Sequence, residues 1–312
     1  MFNKIKKISK NILSKNTKIY KISRKIYYIF QKYFVSTTSK IIKNYLLIKY
    51  LKRNFLKRKI NSTESCGFLY IAFGENFYRE ALKSAEILKK QTNLPIHIFT
   101  DQKQISNYEL QVFTSIEKVP GTHKRSKVDF IHMSPFEKTI YLDSDIVVVG
   151  NIDDLFELLD KFDVLATLDT ARKRENISKI IKIYSEIPYA FGEVNGGLLG
   201  FNKYARDKIF RFWPKLFYKY MVETKGWDQP TLRILLWKYQ NSIYLLPPEY
   251  NVRSSALLKK VRENKNLFGV SHMKPRIYHM HANKEINKGI YKDYSSDEII
   301  EIVKERAYEI IY

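Results

Sequence analysis

The sequence predicts an α/β protein with a mostly parallel central sheet, preceded by a basic helical N-terminal arm. Beyond residue 67, apolar segments of strand length alternate with segments of helical periodicity, the pattern of a parallel sheet covered by helices. Residues 1–60 contain 18 Lys and Arg and no Asp or Glu, whereas the rest of the 312 residues contains 37 basic and 32 acidic ones. A hydrophobic content of 45% excludes a disordered chain, and the single cysteine excludes a disulfide framework or a multi-cysteine zinc site.

The arm, residues 1–62, combines its positive charge with one apolar stripe. The stripe recurs at helical spacing and includes Ile5, Ile8, Ile12, Ile19, Ile22, Ile26, Ile29 and Tyr33. No apolar run approaches the roughly 20 residues of a membrane-spanning helix. We therefore expect a basic amphipathic helix on an anionic membrane surface, in a cytoplasmic, peripherally membrane-associated protein. Packing on the body or on a second copy is the alternative. A nucleic-acid partner is disfavoured, because no base-reading module accompanies the charge.

The body, residues 63–290, is expected to be one α/β domain, followed by a C-terminal helix over 291–312. Apolar segments predict strands at 68–73, 96–100, 139–142, 146–149 and 164–168. Helical spacing predicts helices at 78–90, 127–133, 153–159 and 229–237. Asp153 and Asp154 are expected to cap the third of these helices. No G-x-G-x-x-G or P-loop motif occurs, which disfavours Rossmann dehydrogenases and P-loop enzymes.

An Asp-x-Asp pair, Asp143 and Asp145, follows the apolar strand at 139–142. Side chains two residues apart on an extended chain lie on the same side, so both carboxylates are directed to one place. Two hard oxygen ligands at the end of a strand suit Mg²⁺ or Mn²⁺ shared with substrate phosphates. The alternatives are a solvated turn or helix capping by one of the two residues.

Three segments in order resemble the GT-A-fold glycosyltransferases of the family 8 type, which includes bacterial galactosyl- and glucosyltransferases and glycogenin. They are Ser-Pro-Phe-Glu-Lys-Thr-Ile-Tyr-Leu-Asp-Ser-Asp at 134–145, Asn-Gly-Gly-Leu-Leu-Gly-Phe-Asn at 195–202 and Trp-Asp-Gln-Pro-Thr-Leu at 227–232. The resemblance runs from about residue 67 to residue 281. It implies one Rossmann-like nucleotide-sugar-binding domain that transfers a sugar, with retention of configuration, from a nucleoside-diphosphate donor such as a UDP-sugar. The acceptor would be a hydroxyl of a glycan, lipid-linked or protein acceptor.

The same resemblance implies a metal site. Asp143 and Asp145 would hold Mn²⁺ or Mg²⁺ on the donor diphosphate, and Asp143 would also contact the ribose. A histidine would be the third ligand. His279 matches the family strand better than His281, although both remain candidates. After these histidines the chain departs from the family, because Ala-Asn-Lys stands where the family has Gly-Lys-Pro-Trp; Lys284 is the candidate phosphate clamp.

Further residues take roles by the same resemblance. Asn76 and Phe77 would bind the base, and Lys127 would lie near the diphosphate. Asn195, Asp228 and Gln229 would line the sugar and acceptor side and stabilise the charge that develops at the anomeric carbon. For several of these residues a structural role is the alternative: a core aromatic for Phe77, a solvated lysine for Lys127 and a helix cap for Asp228.

Two other functions compete with a glycosyltransferase. A sugar-nucleotide pyrophosphorylase is disfavoured, because its glycine-rich basic loop is missing after the first strand. A catalytically inactive GT-A-like adaptor that binds membrane or nucleic acid through the basic arm is disfavoured, because the motif residues are present together.

Overall fold

The computed structural model describes residues 64–120, 125–239, 242–253 and 276–279. The predicted arm, the C-terminal helix, His281 and Lys284 lie outside these residues. Within the described part of the chain, no helix is both long enough and apolar enough to span a bilayer.

Ten strands are described, and they are numbered here in chain order. They are β1 (Glu64–Ala72), β2 (Ile96–Thr100), β3 (Ser115–Lys118), β4 (Phe136–Leu142), β5 (Ile146–Val148), β6 (Val164–Leu168), β7 (Val194–Asn202), β8 (Ile243–Leu245), β9 (Val252–Arg253) and β10 (Ile277–His279).

Nine α-helices are described between these strands. They are α1 (Glu75–Lys89), α2 (Asn107–Val112), α3 (Lys127–Phe130), α4 (Leu155–Leu158), α5 (Glu175–Ser178), α6 (Lys182–Glu186), α7 (Lys203–Lys208), α8 (Trp213–Tyr220) and α9 (Gln229–Lys238). Short 3₁₀ helices follow α3 and α7 and precede β9, at Ile131–Met133, Phe210–Phe212 and Pro248–Tyr250.

The main sheet has seven strands in the order β3-β2-β1-β4-β7-β6-β8. Only β7 is antiparallel to its neighbours, β4 and β6, and the other pairs are parallel. The predicted mostly parallel α/β sheet is thus confirmed. All five residues of β2 and eight of the nine in β7 are buried, as expected of strands that helices or loops cover on both faces.

Helix α1 covers one face of this sheet and reaches the segment after β4. Its buried Ala81, Ala85 and Leu88 are spaced by four and three residues, which places them on one side of the helix. On the same helix, the Ser84 hydroxyl donates to the carbonyl oxygen of Ile146 at 2.5 Å. Apolar packing and this hydrogen bond together hold α1 against the start of β5.

A second sheet has the order β5-β10-β9. Strand β5 is antiparallel to β10, and Ile146 is opposite His279. Because Ile146 follows Asp145 directly, this register brings a residue from the distant end of the body beside the Asp-x-Asp pair.

One predicted local role is wrong. Asp154 precedes α4 but makes no capping hydrogen bond through its side chain, and its carboxylate instead accepts from the Tyr250 hydroxyl at 2.7 Å. The Asp153 carboxylate accepts from the Thr92 hydroxyl at 3.0 Å. Both carboxylates have partners distant in the sequence, and those partners compete successfully with the local cap. The helix predicted at 127–133 divides into α3 and a 3₁₀ turn.

Candidate active site

The two aspartates lie just beyond the carboxyl end of β4. The backbone N–H of Asp143 donates to the carbonyl oxygen of Gly197 at 2.8 Å, so pairing with β7 continues one residue past the strand. The chain then turns, and β5 begins at Ile146. The pair is therefore held between two sheets at the edge where ligands of open α/β proteins bind.

His279 completes a cluster with the two aspartates. One ligand atom from each of the three residues can be chosen so that all lie within 4.8 Å of one another. Nε2 of His279 is 3.3 Å from Oδ1 of Asp145. Its Nδ1 is 3.0 Å from Oδ1 of Asn251, whose amide nitrogen donates to Thr167. Because an amide oxygen only accepts, the Nδ1 proton faces Asn251, and Nε2 faces the carboxylate. Two such atoms suit a cation between them.

Lys127 provides the buried positive charge of the site. Its Nζ lies 3.1 Å from Oδ1 of Asp143 and 3.2 Å from Oδ2 of Asp228, and it donates to the carbonyl oxygen of Gly196 at 2.9 Å. Burial lowers the pKa of Lys127, but the two carboxylates more than offset this effect, so its pKa is raised. The lysine is therefore not the solvated side chain of the alternative interpretation.

Two opposing effects set the pKa of the buried Asp228 carboxyl group, and its pKa shifts in the direction opposite to that of Lys127. Burial raises its pKa, and the positive charges of Lys127 and Arg125 more than offset this, so its pKa is lowered. Asp228 precedes α9, but its side chain makes no capping hydrogen bond.

The hydroxyl of Tyr141 donates to Oδ1 of Asp143 at 2.5 Å. Burial, followed by the charge of Asp143, raises the pKa of Tyr141 well above its usual value, which keeps this hydroxyl a donor.

Because residues 196 and 197 are glycines, the side chains of Lys127 and His279 can lie directly against the backbone there. A Cβ on Gly197 would lie 2.4 Å from Cε1 of His279, and one on Gly196 would lie 3.2 Å from Nζ of Lys127. Two of the site's own side chains therefore lie directly against this backbone.

Asp169, which sequence reasoning missed, links the predicted Asn195 and Gln229. The Asn195 amide donates to Oδ2 of Asp169 at 3.1 Å, and the Gln229 amide donates to the same atom at 2.6 Å. Asp169 is buried and follows β6 directly, just as Asp143 follows β4. An acidic residue directly after a predicted buried strand was the signal available in the sequence.

Arg174 makes hydrogen bonds to this group of residues, and sequence reasoning missed it as well. Its Nη2 donates to Oε1 of Gln229 at 3.1 Å, and its Nε donates to Oε2 of buried Glu193 at 2.7 Å. The Tyr184 hydroxyl donates to the other oxygen of Glu193 at 2.5 Å. Burial raises the pKa of Glu193, against the lowering effects of Tyr184 and Arg174. No spacing motif in the sequence marks these three residues.

Asn76 and Phe77 lie in the first turn of α1, and both are exposed. Phe77 is 50% exposed, so it is not the core aromatic of the alternative interpretation. One turn further along, Glu80 accepts a hydrogen bond from the Ser144 hydroxyl at 3.1 Å. This contact puts the start of α1 beside the Asp-x-Asp loop.

Comparison with known proteins agrees with this architecture. The structure is similar to the glycosyltransferase GlyE of Streptococcus pneumoniae TIGR4, with a TM-score of 0.51 and 18% identity, over 79% of this chain and 63% of the GlyE chain. It is also similar to an active-site mutant of LgtC, with a TM-score of 0.53 and 14% identity, over 77% of this chain and 95% of the LgtC chain. This chain thus spans less than two thirds of the GlyE chain, and identities this low establish the fold alone.

No curated protein sequence matches significantly. The sequence model of the family described as glycosyl transferase family 8 matches residues 58–280, which is well over half of the chain. The expected GT-A glycosyltransferase fold is therefore confirmed, and the chain belongs to glycosyl transferase family 8.

Proposed function

We propose that this protein is a metal-dependent glycosyltransferase that moves a sugar, with retention, from a nucleoside-diphosphate donor to an acceptor hydroxyl. The observation that carries the proposal is the convergence of Asp143, Asp145 and His279 within 4.8 Å. A UDP-sugar is the proposed donor, and a glycan, lipid-linked or protein hydroxyl is the proposed acceptor.

The residues present fit a divalent ion. The three potential ligands supply two carboxylates and one imidazole, a donor set that suits Mn²⁺ and, less closely, Mg²⁺. Nearby, the carboxylates of Asp143 and Asp228 share one buried cation, the ammonium group of Lys127. These two carboxylates therefore carry more negative charge than this ammonium group neutralises. When bound, the ion supplies Lewis-acid neutralisation of the departing diphosphate. Asn251 supports this role by holding the imidazole with Nε2 toward Asp145.

On the donor side, we assign the base to Asn76 and Phe77, and the diphosphate to Lys127 and Lys284. The exposed ring of Phe77 offers a face for stacking. Lys127 stays protonated because two carboxylates surround its ammonium group, so it presents a fixed positive charge beside the metal ligands. We further assign the ribose to Asp143.

On the sugar side, we assign Asn195, Asp228 and Gln229, and add Asp169. The Asn195 and Gln229 amides both donate to Asp169, which fixes the orientation of the two amide groups. The carboxylates of Asp169 and Asp228 are preorganised to stabilise positive charge at the anomeric carbon. This help is electrostatic and needs no covalent intermediate, so it is compatible with same-face attack and retention.

The test is hydrolysis of a panel of nucleoside-diphosphate sugars with and without Mn²⁺. We expect turnover of one donor that excess chelator abolishes. Asp145→Asn should abolish Mn²⁺-dependent turnover and leave the fold intact. Asp154→Asn, a carboxylate that contacts Tyr250, is the matched control and should keep activity. Undiminished wild-type turnover in excess chelator, or full activity of Asp145→Asn, would contradict the metal assignment.

We also propose that the arm, residues 1–62, lies on an anionic membrane surface and holds the enzyme near its acceptor as a cytoplasmic, peripheral protein. Each basic residue near such a surface contributes about 1 kcal/mol, and the attraction decays within about 8 Å at physiological salt. Co-sedimentation of the full chain with anionic vesicles should be strong at low salt and weak at high salt. Equal behaviour with neutral vesicles would favour packing or assembly as the role of the arm.

A further inference from the structure

Trp227 is an exposed aromatic residue beside the proposed catalytic group. Its side chain is 44% exposed, and it directly precedes Asp228 and Gln229. The guanidinium carbon of Arg174 lies 4.5 Å from the centroid of the Trp227 ring. Because the same guanidinium donates to Gln229, the ring is separated from the Gln229 side chain by one guanidinium group.

The ring is exposed, yet its position is well determined. Arg174 is anchored by buried Glu193 at 2.7 Å, so the cation that contacts the ring is itself held in place. The backbone next to the ring is also held in place. The N–H of Gly226 donates to the carbonyl oxygen of Met221 at 2.8 Å, and the N–H of Trp227 donates to that of Thr224 at 3.0 Å. These hydrogen bonds close the turn after α8, in which Lys225 and Gly226 have φ values of 54° and 75°.

We propose that Trp227 is the platform on which a pyranose ring of the acceptor stacks. The inference rests on the proposed glycosyl transfer. A pyranose presents a face of C–H groups and a rim of hydroxyls, so it packs its apolar face on an indole while the hydroxyls stay solvated or hydrogen-bonded. A rigid aromatic side chain supplies this area at little cost in conformational entropy.

The position of the ring favours the acceptor over the donor. The metal ligands and Lys127 group around the proposed diphosphate site, whereas Trp227 joins the site through Arg174 and Gln229. Because the guanidinium occupies one face of the ring, the sugar would stack on the exposed part that remains, next to Asp228 and Gln229 in the chain.

The experiment measures binding of simple pyranosides to the full chain loaded with UDP and Mg²⁺, which is diamagnetic and does not broaden the NMR signals of the bound sugar. Methyl β-glucopyranoside and methyl β-galactopyranoside are titrated by saturation-transfer NMR, and sorbitol is the open-chain control. We expect Trp227→Leu to weaken binding of at least one pyranoside about 10-fold, and Trp227→Tyr to change it by no more than about threefold. Sorbitol should bind no better to the wild type than to Trp227→Leu.

Trp237→Leu is the matched control, because Trp237 is 47% exposed and lies in the last turn of α9, about 12 Å along the helix axis from the start of the helix that Trp227 precedes. It should leave pyranoside binding unchanged, and all variants should keep wild-type affinity for UDP with Mn²⁺. Failure of the wild type to bind UDP with Mn²⁺ would overturn the proposed function and the platform with it. Normal UDP binding with no pyranoside binding, or with equal binding by Trp227→Leu, would overturn the platform alone.

Discussion

Replacement of Gly197 by alanine should damage the metal site without touching a metal ligand. The new Cβ would lie 2.4 Å from Cε1 and 2.9 Å from Nδ1 of His279, whereas carbon atoms in contact are normally about 3.5–4.0 Å apart. The ring has little freedom to yield, because His279 is buried, lies in β10 and is bonded to Asn251. Either the imidazole moves away from Asp145 or β7 shifts.

The magnitude follows from this overlap. Forcing an extra methyl group into a packed interior costs about 1–3 kcal/mol of the free energy of unfolding. Disturbing the orientation of a ligating histidine typically weakens metal binding by about 10–100-fold. We therefore expect Gly197→Ala to be folded but less stable, and to need at least 10 times more Mn²⁺ for half-maximal donor hydrolysis.

Gly67→Ala is the matched control for the Mn²⁺ titration. A Cβ there would lie 2.4 Å from Cζ of Phe136, an equal overlap but at the start of β4, away from the metal cluster at its carboxyl end. This variant should lose stability and keep the wild-type Mn²⁺ requirement. If Gly197→Ala keeps that requirement as well, or if both variants change it equally, the reasoning from the glycine pair is refuted.

The other predictions concern His279, Lys127 and His97. His279→Ala should weaken Mn²⁺ binding, measured by electron paramagnetic resonance, about 10-fold or more, while His281→Ala changes it little; the reverse result would make His281 the ligand. Lys127→Met leaves Asp143 and Asp228 without their shared cation, so thermal melting without metal should show a loss of about 3 kcal/mol that Mn²⁺ partly restores; no rescue by Mn²⁺ would contradict the charge argument. Burial lowers the pKa of His97 to about 4 from 6.5, so the folded state disfavours protonation: stability is full above pH 6.5 and falls by up to about 3 kcal/mol as the pH drops toward 4. Urea unfolding of His97→Gln should lack this dependence, and an unchanged pH profile would exclude His97 as its source.

Sequence reasoning succeeded where a pattern is local. Strands β2 and β6 have the predicted bounds, because each is a short, mostly apolar run with proline or aspartate directly before and after it. Strand β4 begins three residues earlier than predicted, at Phe136, where the buried pattern is broken by Glu137 and Lys138. Because polar side chains occupy the less covered end of this strand, the hydrophobic pattern does not reveal where the strand begins.

The direction of a strand and the hydrogen-bond partners of a side chain depend on residues that are distant in the sequence. Nothing in the apolar run of β7 reveals that it is antiparallel to β4 and β6, because strand direction depends on the connections that precede it. The failed caps at Asp153 and Asp154 have the same cause. Their hydrogen-bond partners, Thr92 and Tyr250, are 61 and 96 residues away in the sequence.

The sequence by itself determined the α/β class, the glycosyltransferase family and the residues of the motifs, because each is expressed in short-range spacing. Only the tertiary structure brought His279 opposite Ile146, and only it joined Asp169, Arg174 and Glu193 to Asn195 and Gln229. Arg174 and Glu193 stand singly in the chain, and no repeat or spacing marks them. The hydrogen bonds of the whole group form between side chains up to 60 residues apart, which become neighbours only when the sheet assembles.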